Sequence, residues 1–542
     1  MDQLEPRAFE NLHPGRRIVF DFPIRADETV SVAVLDSTIR WETVTCAAML
    51  VPDGEEDDWV YSSEGGQWQL LVNAEVSRMV IVQRNLTSSV VDGTKNQGVS
   101  GQSGGQASLE ERRHVTRLKG TTYRPSCLQC EDEALKARLG SLVVALAPRV
   151  CFRGGRIPVV PFVGYSDNII HRVVVEESNS SLTGAMVVED VVLDDSDVEL
   201  LESESSALPS AECSHRMGSR GCRKLERVVY RRRLRFKRMP NLIQTESHLF
   251  GNPQTLKDPR TTISDDGNVN TGIITVSAGA FCEDTLTGFQ IDHSKLVHKY
   301  LPPIVAGLVL AASCIESCVE RGDKAKVLAL GVGGGALPIF LQNYLGFRVQ
   351  AVDMDRVVLD LAHRHFGLKN GVDMEVLVGD ALQIVDELAW KIAVDDARSQ
   401  AKSSNCEKSR NVSAGEGEDH RVHAVIVDID EGDPRGKLSS PPSSFLGHKF
   451  LSSARTLLHA GGLLAMNVVP NGAESYRGVV SSLLSVFDDV YETDVAGDVN
   501  RVVFALTFKA TGVNVDGPLA RRVKQFVDAR LITGVRRAHA GC

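Results

Sequence analysis

The run Val327-Leu-Ala-Leu-Gly-Val-Gly-Gly-Gly-Ala-Leu-Pro-Ile-Phe340 constrains the fold of this chain more than any other stretch. Its apolar start predicts a buried strand. Gly331, Gly333, Gly334 and Gly335 then supply a turn whose backbone bends tightly and lets a ligand approach. Ala336 to Tyr344 reads as a helix with Pro338 in its first turn. Val349-Gln-Ala-Val-Asp353 follows as a second strand ending in an acid. A carboxylate there can accept both hydroxyls of a ribose. Strand, glycine turn, helix, strand and acid together open a nucleotide-binding α/β sheet.

The alternation continues downstream. Arg356 to Phe366 is an amphipathic helix. Met374-Glu-Val-Leu-Val378 is a strand closed by Gly379, Asp380 and Ala381, with the acid placed to meet an adenine amino group. Ala424-Val-Ile-Val-Asp-Ile-Asp-Glu-Gly-Asp433 is a fourth strand whose end gathers Asp428, Asp430, Glu431 and Asp433. So many acids after an apolar strand must face water, cations or ligand polar groups. A solvated loop or a metal site would use the same cluster, but no histidine partner is evident and no metal is expected. The fifth strand, Leu463 to Pro470, carries Asn467 in an apolar run, so its amide needs a partner. There is no Lys-Ser/Thr after the turn for a triphosphate.

At 542 residues the chain should hold two or three domains. Residues 1–240 read as a β-rich N-terminal region, with runs such as Val30 to Leu35 and Met79 to Val82, and polar inserts near 85–124 and 190–223 that are expected to be disordered. Residues 241–320 read as a lead-in, with a hairpin from 272–281 and 288–291 and an apolar helix near 303–318. The α/β domain spans 321–512 with a polar insert near 397–420, and a helical tail is expected at 513–542. The formal net charge of -10 disfavours a general nucleic-acid binder. The basic run from Arg227 to Arg238 is expected to be a solvated strand face rather than a nucleic-acid surface.

The 11 cysteines form one Cys-x-x-Cys pair, Cys127 and Cys130, with only Cys213 and His215 as nearby zinc partners. Reduced thiols in the cytoplasm are the expectation. The first residues show no secretory signal. The longest apolar run, Leu301 to Ala312, is short of a membrane span, so no membrane association is expected.

Gly331-x-Gly-Gly-Gly335, Asp353, Gly379-Asp-Ala381 and the strand ending at Asp428 resemble the class I S-adenosylmethionine-dependent methyltransferases of the spermidine-synthase-like superfamily. Within it, the chain resembles the C-terminal half of the dual methyltransferases of eukaryotic translation elongation factor 1-alpha. That resemblance is carried by Ala47 to Pro52, Val188-Glu-Asp190, Tyr230 to Leu234, Gln244 to Ser247, Ile304 to Leu308, Asp428 to Pro434, Pro441-Pro442, Asn467 and Gly497 to Asn500.

The resemblance implies an α/β fold with a Rossmann-like seven-stranded sheet in the C-terminal half. It implies S-adenosyl-L-methionine as cofactor, and translation elongation factor 1-alpha as protein substrate. Cofactor contacts are expected at Gly331, Gly333, Gly334, Gly335, Asp353, Asp380, Ala381 and Asp428. Asp428, Asp430 and Asn467 are expected around the acceptor amine, with Asp433 a weaker candidate. No second glycine turn with a following acid precedes Gly331, so α-amine rather than lysine methylation is implied. Two alternatives remain. One is a polyamine aminopropyltransferase, against which the long N-terminal half and the replacements at Asp430 and Glu431 count. The other is a binding protein that keeps the fold without catalysis.

Overall fold

The computed structural model describes residues 9–25, 28–39, 41, 43–84, 126–152, 156–165, 169–194, 227–251, 274–275, 289–404, 419–433, 438–510 and 515–538. Most of the polar inserts expected near 85–124, 190–223 and 397–420, including the acidic run after Asp194, lies outside these residues. The chain divides into two compact units, Met1–Glu176 and Glu177–Cys542.

In the first unit, the strands Arg17–Pro23, Thr29–Asp36, Cys46–Leu50, Arg78–Arg84 and Phe162–Val163 form one sheet, with Arg78–Arg84 at its centre. The β-rich expectation misses a helix here. Glu64–Asn73 is helical, capped by the Ser63 hydroxyl, which accepts from the Gly66 amide. Its two glycines mask it in a propensity reading. The helix Ser126–Ala145 sends Leu135, Leu139 and Leu142 into the core. Arg78 is wholly buried, yet its guanidinium is well supplied with acceptors. It donates to Asp36 at 2.6 and 3.1 Å and to the carbonyls of Phe9, Asn11 and Leu146. A buried cation persists only when it is paired and hydrogen-bonded in this way.

The second unit holds the expected α/β sheet. Its strands run in the order Met374–Val378, Arg348–Asp353, Lys326–Leu330, Val422–Val427, Leu458–Pro470, Arg501–Leu506 and Asp489–Asp494. The first five are parallel and the last two join antiparallel. Short strands at Leu438–Ser440 and Arg536–Arg537 extend the expected seven to nine.

Both faces are covered, as an all-apolar parallel core requires. Val327, Ala329, Ala424, Ile426 and Phe504 point to one core, shared with the helices Leu301–Gly307 and Ala336–Leu345. Leu328, Leu330, Val425, Val427 and Met466 point to the other, shared with His448–Leu457 and Ala473–Leu484. Gly307 lets its helix lie directly on the sheet, because a Cβ there would fall 2.0 Å from the Phe504 ring. The helical run Leu301–Glu320 is long and apolar enough to cross a membrane by length and composition, longer than the sequence suggested. Two-thirds of its most apolar window is buried within the protein.

A second sheet in this unit is antiparallel, built from Gly184–Asp194, Arg227–Phe236, Ile243–Gly251 and Phe289–Asp292. Most of the hairpin expected from 272–281 and 288–291 lies outside the described residues, and the strands that are described do not pair with each other. Ile274–Thr275 pairs with Arg227 and Val228, whereas Phe289–Asp292 pairs with His248 to Gly251.

The basic run is not a solvated face either. Arg233 and Arg235 are buried and paired with Glu246 and Glu189, and Arg232 grips Asp190 with two hydrogen bonds. Cross-strand carboxylates therefore take up the charge that a strand-by-strand reading left facing water.

Candidate active site

The carboxyl ends of the parallel strands meet at the glycine turn. Gly331 sits at φ +86° and Gly335 at φ +85°, a region open to glycine at little cost. A Cβ on Gly331 would lie 2.0 Å from the Asp428 carbonyl oxygen, so the first and fourth strands can approach only at a glycine. Asp353 binds the turn from the next strand. Its Oδ2 accepts from the amides of Val332 at 3.1 Å and Gly333 at 3.4 Å, and its Oδ1 accepts from the Asp355 amide. Burial raises its proton affinity, and these amides oppose the rise. The Gly334 amide donates to Thr245 Oγ1 at 2.6 Å.

Thr245 belongs to the antiparallel sheet, which lies across this end of the parallel sheet. Thr183 donates to Asp355, Arg232 donates to the His365 carbonyl, and Arg238 pairs with Asp430. Gln244, beside the turn, has a buried side-chain nitrogen with no partner.

Asp428 ends the fourth strand. Its Oδ1 accepts from Asn467 Nδ2 at 3.0 Å, and its Oδ2 accepts from the Tyr300 hydroxyl at 3.1 Å. Asn467 is held in turn by Asn500, whose Nδ2 donates to Asn467 Oδ1 at 2.8 Å. Ser440 donates to the Asn467 carbonyl. Desolvation pushes the Asp428 carboxyl up to about 6; the Asn467 and Tyr300 hydrogen bonds lower it, and nearby Asp430 adds to the rise. The Tyr300 ring stacks on His298 at 5.5 Å, and the Tyr300 hydroxyl is pushed well above its ordinary range by burial and by Asp428.

The structure brings Gly331 to Gly335, Asp353, Asp428 and Asn467 together. Asp380 and Ala381 lie at the adjoining strand end, where Asp380 is exposed and accepts from the Leu382 amide. Asp430 is close by but already paired, with Arg238 Nη1 2.9 Å from its Oδ1. Glu431 is exposed.

Sequence reasoning assigned no role to Tyr300, Thr245, Gln244, Arg238 or Asn500. Gln244-Thr-Glu-Ser and Gly497 to Asn500 stood out only as resembling segments, with nothing in either to say which atoms they meet. Among the described residues no group of three or more His, Cys, Asp and Glu side chains is arranged to hold a metal ion. The side chains of Cys127 and Cys130 and residues 213–215 lie outside the described residues. A polar depression lined by Lys326, Arg348, Gln350, Glu375 and Asp419 sits at the amino ends of the strands, away from the glycine turn.

No family model matches the chain. The eEF1A lysine and N-terminal methyltransferase of Mus musculus is 24% identical over 469 residues, covering 84% of this chain and 50% of that protein. Its Homo sapiens counterpart is 24% identical over 471 residues with the same coverage. A Drosophila melanogaster homolog is 28% identical over 216 residues, 40% of this chain and 28% of that protein. The chain spans about half the length of the curated relatives it matches.

Among solved structures, human methyltransferase-like protein 13 in complex with SAH aligns with a TM-score of 0.33 at 22% identity, over 43% of this chain and 92% of that one. Spermidine synthase from Thermotoga maritima aligns with a TM-score of 0.30 at 11% identity, over 65% and 78%. The chain is a distant homologue of the eEF1A lysine and N-terminal methyltransferases.

Proposed function

We propose that this chain is a cytoplasmic S-adenosylmethionine-dependent methyltransferase that acts on an amine of a protein. Its relatives are named for both a lysine and the N-terminus of eEF1A, and of these the acceptor proposed for this chain is the α-amine of translation elongation factor 1-alpha. The observation that carries the reading is Asp428: a carboxylate at a parallel strand end, abutting the glycine turn and hydrogen-bonded on both oxygens. The surroundings of the turn fit the cofactor. Gln244 offers an unpartnered buried donor there, Asp353 keeps lone pairs beyond those its three amides use, and Asp380 stands on the adjoining strand. When bound, S-adenosylmethionine supplies a methyl group on a sulfonium that leaves as a neutral thioether.

The protein's task is then to hold the acceptor nitrogen in line and uncharged. An α-ammonium has an ordinary pKa near 7.7–8.0. The Asp428 anion accepts an N–H of the amine and aims its remaining lone pair. It also stabilises the positive charge that develops on nitrogen. Asn467 and Tyr300 fix the plane of the carboxylate, and Asn500 fixes Asn467.

Incubation with labelled S-adenosylmethionine and cell extract should label a band of the elongation factor's size. Asp353→Ala should remove cofactor binding measured by calorimetry. Turnover only of decarboxylated cofactor with putrescine would overturn the reading in favour of an aminopropyltransferase. Unchanged affinity in Asp353→Ala would overturn the ribose assignment alone.

A further inference from the structure

The strand end after Asp428 holds a second carboxylate, Asp430, and the antiparallel sheet delivers a cation to it. Arg238 Nη1 lies 2.9 Å from Asp430 Oδ1, and Nη2 donates to Oδ2 at 3.3 Å. The guanidinium also lies 5.3 Å over the Phe236 ring, so it is held from both sides. Gly432 makes room for it. At φ +73°, a Cβ on Gly432 would fall 1.7 Å from Arg238 Nη1. Only a residue without a side chain leaves that volume to the arginine.

The carboxylates around Asp428 differ in how they are matched. Asp428 carries one negative charge, held by two neutral donors, Asn467 and Tyr300. Asp430 is neutralised by Arg238. Glu246 is neutralised by Arg233, near His298, whose proton affinity is lowered by burial. Glu431 and Asp498 are exposed to water, where ion pairing contributes little.

We infer that Arg238 is a specificity-determining residue that fills the place of a second ammonium at the acceptor end, leaving a site for a monoamine and rejecting a diamine. The assignment rests on the proposal that Asp428 meets the acceptor amine. A diamine bound with one nitrogen at Asp428 would bring its other ammonium toward a carboxylate that Arg238 already occupies. Like charges brought together at a desolvated site weaken binding by more than tenfold.

The test compares 1,4-diaminobutane with butylamine by calorimetry, on the full chain at low salt. The wild-type protein should bind butylamine about tenfold or more tightly than the diamine. Arg238→Gln should prefer the diamine by about tenfold or more. Gly432→Ala, which displaces the guanidinium, should shift in the same direction, whereas Arg238→Lys, which keeps a cation, should stay near wild type. Cofactor binding and a cooperative melt identify variants that remain folded. A wild-type preference for the diamine, or an unchanged preference in folded Arg238→Gln and Gly432→Ala, overturns the assignment alone. Absence of binding of either amine to any of these proteins overturns both the assignment and the amine reading beneath it.

Discussion

Burial raises the proton affinity of Asp428 from 3.8 to about 6, while Asn467 and Tyr300 each donate to its anion and oppose the rise. The folded protein therefore holds a proton that the unfolded chain has released between about pH 4 and pH 6. Stability falls as pH rises through that window, and above it the ionised carboxylate costs about 3 kcal/mol, at 1.36 kcal/mol per unit. Asp428→Asn removes that cost. Its amide can accept from Asn467 and donate to the Tyr300 oxygen. The variant should melt a few degrees higher than wild type at pH 8 and at nearly the same temperature at pH 4, read by calorimetry. Methyl transfer should fall by about 100-fold or more, as for loss of a group that acts in the transition state. In the wild type, activity should fall as pH drops through about 6, where Asp428 takes up its proton. A variant that is no more stable at pH 8 would show that the carboxylate is not strained by its surroundings.

At the scale of elements, the strand Ile243–Gly251 holds the glycine turn through one buried hydrogen bond, from the Gly334 amide to Thr245 Oγ1. Thr245→Val keeps the shape of the side chain and leaves that amide without an acceptor. It should cost about 1–3 kcal/mol in denaturant unfolding and weaken cofactor binding as the turn loosens. Stability lost with cofactor affinity intact would make Thr245 a packing residue only.

This bond also explains the limits of reading the sequence. Local periodicity displayed the parallel strands and the turn, because each is a continuous apolar run with its own punctuation. It could not display which distant strand crosses them. Thr245 and Gly334 are 89 residues apart, and Arg238 and Asp430 are 192 apart. Asp430 therefore read as an open acid at the acceptor, when its charge is already matched by an arginine from another sheet. The arginines of Arg227–Phe236 misled in the same way, since the glutamates and aspartate that face them lie on neighbouring strands.

At the scale of the whole molecule, the antiparallel sheet is part of the unit that carries the glycine turn, within Glu177–Cys542. It supplies Thr245, Gln244 and Arg238 to the candidate site. The parallel sheet supplies Asp353, Asp428 and Asn467, and the loop before Arg501 supplies Asn500. Each partner of Asp428 comes from a different part of the chain, so the site exists only when this unit is assembled. Asp428 was legible because an acid closes an apolar strand. Tyr300 and Asn500 were not, because nothing in their own neighbourhoods distinguishes them from surface polar residues.

In the proposed function, Asp428 at the carboxyl end of this sheet directs methyl transfer to a protein α-amine. Mass spectrometry should locate the product on a peptide carrying the N-terminus of the elongation factor, offered with a free or an acetylated α-amine, to wild type and to Asp428→Asn. Wild type should place methyl groups on the free α-amine and none on the acetylated peptide, and Asp428→Asn should place almost none on either. Equal methylation of the acetylated peptide, or full activity in Asp428→Asn, would contradict that function.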